Sequence, residues 1–500
     1  MVKILSAKQI QALDQFTIEH EPIASIDLME RACLAFTDWF VQHFRTEKKI
    51  GIVCGPGNNG GDGLGIARIL NGLGYTLKVW IVREGRKETE NFKKNLERIR
   101  GKISLYEIAK ESDQGLFKGC DLLIDGLFGT GLSRPLEGIF AQVVSCINQF
   151  AGVRIAVDMP SGLFADSPSH GPVVQAHHTV SFQLPKLAFL FPENNKWVGE
   201  WHLVDIRSNP RFINTVAAQY FLMDQKSIKK MLRPRSRFSH KGNYGHALLI
   251  AGSHGKMGAC VLAAKAALRA GVGLLTVHVP TSGYSIIQTS VPEAMATIDA
   301  SGNYFSTPPE SLDYSAIGIG PGLGVDSETV KAFAKVLRQF KKPMVIDADG
   351  LNILSANQEL FQLLPSGSIL TPHPKEFERM AGHWKNDFER LELLRKFSAQ
   401  LKCVVVLKGA FTSIASPDET VHFNSTGNPG MATGGSGDAL TGVLTGLLAQ
   451  GYPSQVTAIL GVYLHGLAGD LAASHGSMES LMASDLINSI PAAFNKLNRA

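Results

Sequence analysis

A chain of 500 residues is too long for one ordinary hydrophobic core and requires two or three domains. Its composition, 44% hydrophobic and 19% charged, is that of a soluble globular protein, and a net charge of +5 suits small anionic ligands. No Lys/Arg cluster is interleaved with aromatics, which excludes a nucleic-acid partner. The six cysteines (Cys33, Cys54, Cys120, Cys146, Cys260, Cys403) lack any C-x-x-C pair and read as reduced core residues, not as metal ligands or disulfides. Met1 to Ser6 is too short for a signal sequence and no apolar run reaches membrane-spanning length. The expected setting is cytoplasmic, with no membrane partner.

Ser6 and Gln9 have capping-box spacing, which predicts a helix to about His20. A second helix is expected from about Ser25 to Phe44, with Met29, Ala32, Cys33, Phe36 and Phe40 on one face. Ile50 to Cys54 reads as a buried strand, Gly55 to Gly63 as a glycine loop, and Leu64 to Leu73 as a helix. Strand, glycine loop and helix open a Rossmann-like unit. Further strands are expected at 77–82, 121–125 and 154–158, giving a doubly wound parallel sheet. Such sheets bind ligands beyond the carboxyl ends of their strands. Three loops lie at that edge: 55–63, 126–134 and 159–163.

The loop Gly57-Asn58-Asn59-Gly60-Gly61-Asp62-Gly63 lacks both the G-x-G-x-x-G spacing and the lysine of a P-loop. It still offers backbone N–H groups and two side-chain amides to a phosphate-bearing ligand. Asp125 and Asp158 both end strands at this edge. With the Asn59 and Ser161 oxygens they can hold a hard cation or act as acid and base, although an Asp closing a strand can also be a simple turn former.

From about Met223 to Lys241 the sequence turns basic and irregular (Arg233-Pro234-Arg235-Ser236-Arg237), and the domain junction is placed there, with domains 1–222 and 223–500. The charge run reads as a solvated linker. A second α/β sheet is expected from strands at 246–251, 274–279, 316–319, 344–347 and 403–408, with an Ala-rich helix from about Met257 to Ala270.

Near the C-terminus, N-P-G-M-A-T-G-G-S-G-D (428–438) reads as a loop opening a helix. Successive N–H groups from Gly434 to Gly437, at a helix N-terminus, make an anion site suited to phosphate. Asp438 repels a phosphate there unless it takes a proton from a hydroxyl attacking that phosphate; the plainer alternative is a helix cap. Four further segments meet strand ends: H-K-G-N-Y-G (240–245), the Gly318 to Gly324 turn, Asp347-Ala348-Asp349, and T-P-H-P-K-E-F (371–377). Lys408-Gly409-Ala410-Phe411-Thr412 links two expected strands. His373 alone would read as structural; the set of segments reads as a site.

In the first half, G-P-G-N-N-G-G-D-G, D-G-L-F-G-T-G-L and D-M-P-S-G-L resemble the NAD(P)H-hydrate epimerase family over roughly residues 1–215. The resemblance implies potassium held at Asn59, Asp125 and Ser161. It implies hydrated-nicotinamide contacts at Asn58, Asn59, Gly60, Gly61 and Asp62, at Gly129, Thr130, Gly131, Leu132, Ser133, Arg134 and Pro135, and at Asp158, the candidate acid/base. One departure is Phe164, where relatives commonly carry Asp.

Residues 225–495 resemble the ADP/ATP-dependent NAD(P)H-hydrate dehydratase family, of ribokinase-like fold, most specifically in N-P-G-M-A-T-G-G-S-G-D. This implies nucleotide contacts at Lys408, Gly409, Ala410, Phe411, Thr412 and Gly437. It also implies hydrate contacts at Ala259, Gly322, His373 and Asp438; the mechanism expected from these residues makes Asp438 the catalytic base, with Mg²⁺ beside the nucleotide. Ser436, Lys375 and Gly350 replace the common Thr, Gly and Ala. The fused arrangement favours ADP over ATP, and this branch often forms homo-oligomers. The expected function is therefore epimerisation of R and S hydrates of NADH and NADPH, followed by dehydration of the S form at the expense of a nucleotide. The alternatives are a sugar or vitamin-precursor kinase, which leaves H-K-G-N-Y-G and T-P-H-P-K-E unexplained, and a first half that only binds or scaffolds.

Overall fold

The strand expected at Ile50 to Cys54 lies third in a seven-stranded, wholly parallel sheet, beside the central strand Leu122–Gly126. The structure is a computed structural model that describes residues 1–83, 85, 87–108 and 116–499. The chain divides into two units, residues 2–218 with 386–388, and Met1 with 219–385 and 389–500.

In the first unit the spatial order is Ser104–Ile108, Thr76–Val82, Lys49–Cys54, Leu122–Gly126, Val153–Val157, His178–Phe182 and Glu200–Val204. Ile50, Ile52, Leu122, Leu123 and Ile124 are buried, as continuous apolar strands in a sheet covered on both faces must be. Chain order runs outward from Lys49–Cys54, then returns to start again at Leu122–Gly126. The crevice at that reversal is where doubly wound sheets bind ligands. Three strands are absent from the sequence-based expectation: Ser104–Ile108, and the last two, where His178, Glu200 and His202 interrupt the apolar pattern.

One boundary is corrected. The helix expected from Leu64 begins at Asn58, so the glycines form its first turn and not a loop. Glycine is required there by close approach: a Cβ on Gly60 would lie 1.7 Å from the Gly55 carbonyl oxygen. Gly60→Ala is expected to destabilise the protein by at least ~1–3 kcal/mol through overpacking, read from the midpoint of denaturant unfolding.

The second unit's sheet runs Tyr220–Leu222, Val421–Phe423, Ser413–Ala415, Val404–Leu407, Ile369–Leu370, Met344–Ile346, Ala316–Ile319, His246–Ile250, Leu274–Val279 and Met295–Ile298. Only the Ser413–Ala415 strand runs antiparallel to its neighbours. Tyr220–Leu222, assigned to the first domain on sequence, pairs instead with Val421–Phe423. The basic stretch after it is exposed but not loose: the Arg233 and Arg235 guanidinium groups sit 4.5 Å and 3.9 Å from the Tyr452 and Tyr244 rings.

The glycine-rich segment 428–438 also differs from the expected loop. Pro429–Met431 forms a 3-10 turn, and the helix Ser436–Ala449 starts within the motif. Gly435 precedes it with φ = 89°, a left-handed conformation open to glycine. The following helix, Ser454–His475, is long and apolar enough to cross a membrane, against the expectation of no such run; it is mostly buried inside its unit.

Candidate active sites

In the first unit, Asp158 follows the strand Val153–Val157 with φ = 63°, rare for a residue with a side chain. Its Oδ1 accepts hydrogen bonds from Lys186 Nζ at 2.6 Å, Phe182 N at 3.1 Å and Ser181 Oγ at 3.2 Å. Lys186 is 1% exposed and also donates to Ser181 Oγ and the Phe182 carbonyl, so all three of its protons are engaged.

This pair borders a cavity of about 550 Å³ at the sheet reversal, lined also by Asp14, Asn58, Asn59, Asp62 and the turn from Gly129 to Leu132. Burial, then the charge of Asp158, pushes the Asp14 carboxyl up to about 6, with Lys186 acting in opposition. Burial, followed by Asp158 and Asp14, pushes Asp62 well above the usual carboxylate range. Three carboxylates around one ammonium favour retention of a proton on one of them, which sets an acid beside a base.

Behind the cavity lies a second carboxylate centre. Asp125 is 1% exposed and accepts from Ser161 Oγ (2.7 Å), Ser161 N (2.8 Å) and Leu127 N (3.1 Å). Burial pushes its carboxyl up to about 6 against these hydrogen bonds. Among the described residues the buried Asn59 Nδ2 has no hydrogen-bond partner, so that amide is left for a bound ligand.

The structure thus gathers Asn58, Asn59, Asp62, Asp158 and Gly129 to Leu132 around one cavity. Ser133, Arg134 and Pro135 are exposed and outside its lining, and Gly60 and Gly61 are buried in the helix start. Sequence reasoning missed Asp14 and Lys186. Lys186 did carry a signal: it is the lone charge in Leu184-Pro185-Lys186-Leu187-Ala188-Phe189, and a lysine in such a run is buried only if paired. Asp14 carried none, since polar residues on an amphipathic helix are ordinarily solvated.

In the second unit the helix Ser436–Ala449 aims its first turn at a buried ion pair. Lys408 Nζ donates to Asp347 Oδ1 at 2.9 Å and lies 4.0 Å from Glu376 Oε2. Thr441 Oγ1, one turn into the helix, donates to Asp347 Oδ2 at 2.6 Å. Burial disfavours the Asp347 charge, yet Lys408 and Thr441 hold its carboxyl below the usual range. Gly437 is at the centre: a Cβ there would be 3.6 Å from Lys408 Nζ and 3.8 Å from Asp347 Oδ2. Beside it, burial and the charges of Asp347 and Asp349 push Asp438 up to about 6, with Lys408 pulling the other way.

The remaining expected residues frame this point. His373 caps the helix Pro374–Ala381: its Nδ1 accepts from Glu376 N at 3.2 Å, while its own N–H donates to Glu376 Oε2 at 2.8 Å. That capping box leaves the His373 side chain 46% exposed. Gly322, at φ = 61°, lies against Ala259, with a would-be Cβ 3.3 Å from the Ala259 Cβ. Gly409 and Thr412 close the turn after Lys408 through Thr412 Oγ1, which donates to the Gly409 carbonyl at 2.9 Å; Ala410 and Phe411 lie within that turn. Asp347 and Glu376, the partners of Lys408, were visible only as parts of motifs.

The family model for NAD(P)H-hydrate dehydratase matches residues 247–492, and that for the YjeF-related protein N-terminus matches residues 25–188. A bifunctional NAD(P)H-hydrate repair enzyme of Moorella thermoacetica is 36% identical, the match covering 99% of this chain and 97% of the relative. One from Thermofilum pendens is 35% identical over the same shares, 99% and 97%. Among solved structures, a ribokinase-like superfamily protein of Enterococcus faecalis is 28% identical with a TM-score of 0.51, covering 57% of this chain and 99% of that one.

Proposed function

The chain belongs to the family of bifunctional NAD(P)H-hydrate repair enzymes, and from that premise we propose how its two units divide the chemistry. The first epimerises R and S hydrates of NADH and NADPH; the second dehydrates the S form using ADP. The observation that carries this reading is similarity to repair enzymes along nearly the whole chain, with a separate site in each unit. A small-alcohol kinase is not favoured, because it accounts for neither the first unit nor the full-length relatives.

In the epimerase cavity, Asp158 is the acid/base at C6 of the hydrate, with Lys186 holding it in place and Asp14 and Asp62 as neighbouring proton carriers. Asn58 and Asn59 and the turn from Gly129 to Leu132 hold the nucleotide. Asn59, Asp125 and Ser161 would hold potassium; a buried carboxylate amid oxygen donors fits a hard cation. Such an ion would supply positive charge at the Asn59, Asp125 and Ser161 oxygens beside the cavity.

In the dehydratase site, Asp438 removes the C6 hydroxyl proton and the oxyanion takes the terminal phosphoryl group of the nucleotide. Loss of phosphate from C6 together with a proton from C5 then restores the ring double bond of the dihydronicotinamide. The N–H groups from Gly434 to Gly437 and the Lys408 ammonium stabilise the transferring group. Asp347 and Glu376 offer the hard oxygens that suit Mg²⁺, which would neutralise phosphate charge. The same reading includes a cytoplasmic homo-oligomer acting on small molecules.

The test is incubation of purified protein with mixed R and S NADH hydrate, Mg²⁺, K⁺ and either ADP or ATP. Near-ultraviolet absorbance of the dihydronicotinamide is expected to recover fully, with ADP preferred. Recovery that stops at the S fraction, after subtraction of spontaneous epimerisation, overturns the epimerase assignment. No recovery with either nucleotide overturns the dehydratase assignment.

A further inference from the structure

The strands His178–Phe182 and Glu200–Val204 carry a second constellation, at the ends remote from the cavity. Phe182 lines the cavity, whereas His178 begins the same strand, ~13 Å away at the usual rise per residue. The parallel register sets His178 opposite Glu200 and Val180 opposite His202. Residues two apart on a strand share a face, so Glu200 and His202 project to one side, and His178 joins them. His178 Nδ1 lies 3.4 Å from His202 Nε2 and 3.5 Å from a Glu200 carboxylate oxygen, and His202 Nε2 is 3.9 Å from that oxygen.

The two shorter separations match a tetrahedral metal, and the third is within a small side-chain adjustment of it. With metal–nitrogen bonds of 2.0–2.1 Å, two ligands of a tetrahedron stand ~3.4 Å apart. The imidazoles rest on rigid elements: the Trp39 ring lies 4.9 Å from that of His202 and 5.7 Å from that of His178. The opposite side is open, since Glu200 is 68% exposed and the two histidines 21–23%, which gives an ion a route in and water a fourth position. Two imidazoles and one carboxylate select zinc-class ions over Mg²⁺ or Ca²⁺.

We infer that His178, His202 and Glu200 form a binding site for one zinc-class divalent ion, which ties the edge strand Glu200–Val204 to its neighbour and takes no part in hydrate chemistry. The experiment is titration of the full-length, tag-free, metal-stripped protein with Co²⁺. The expected result is visible absorption of four-coordinate Co²⁺ that saturates at one equivalent and is displaced by Zn²⁺. His202→Asn and Glu200→Gln are each expected to weaken binding at least ~10-fold while epimerase turnover is unchanged. Absence of a saturable band, or unaltered affinity in the variants, overturns the assignment. Should His202→Asn fail to fold, Glu200→Gln decides alone, because its exposed side chain is not needed for packing.

Discussion

Asp438→Asn is expected to lower hydrate dehydration by ~10²–10⁴-fold, the usual consequence of losing a positioned general base, while nucleotide and hydrate affinities change little. The groups proposed to bind phosphate, namely the helix start at Ser436 to Gly437 and the Lys408 ammonium, are untouched by this change. The amide keeps the size of the carboxylate and loses only its basicity. Single-turnover dehydration of the S hydrate, with affinity measured separately, checks this; near-normal turnover would sink the assignment. A pH profile adds an independent readout. Because burial, Asp347 and Asp349 push the Asp438 carboxyl up to about 6, its basic form predominates above that pH and is lost below it. Wild-type dehydration should therefore fall about tenfold per unit below pH ~6, and the residual rate of the Asn variant should lack that limb.

Lys186→Met is expected to destabilise the protein by ~3–5 kcal/mol and to abolish epimerisation. Lys186 and Asp158 are buried together, and removal of the ammonium leaves a carboxylate beside Asp14 and Asp62 with no cation to offset it. The strained φ of Asp158 loses one of the contacts that maintain it. Denaturant unfolding measures the first effect, and separate epimerase and dehydratase assays measure the second. In the double variant Lys186→Met/Asp158→Asn the buried charge is gone, so most of the stability should return while epimerisation stays absent. Loss of stability that persists unchanged in the double variant would assign Lys186 a packing role in place of an electrostatic one.

Much of this architecture was legible in the chain. Runs such as Ile50-Gly51-Ile52-Val53-Cys54 and Leu122-Leu123-Ile124 are apolar throughout, and only strands covered on both faces read so. The edge strand carrying Glu200 and His202 was not legible, because a strand with one wet face loses that continuity. The helix starts at Asn58 and Ser436 were misread for another reason: local propensity argues against glycine in helices, and at Asn58 close packing on the preceding strand and its turn overrides it.

The candidate sites divide in the same way. The backbone-bound chemistry proposed for Asn58-Asn59-Gly60-Gly61-Asp62 and Gly434 to Asp438 leaves contiguous motifs, since neighbouring N–H groups that converge on one anion require particular residues in sequence. That much is local and follows from residue order. Asp14 and Lys186 belong to no such motif, and Asp347 and Glu376 show only as members of one without their roles, because each acts through a partner far along the chain. Asp14 is 144 residues from Asp158, and Asp347 is 61 from Lys408. Whether such a carboxylate is solvated and ordinary, or buried and shifted toward neutrality, depends on which charges the fold brings beside it and how much water it removes. Desolvation and Coulomb coupling are properties of three-dimensional proximity, and no reading of residue order contains them.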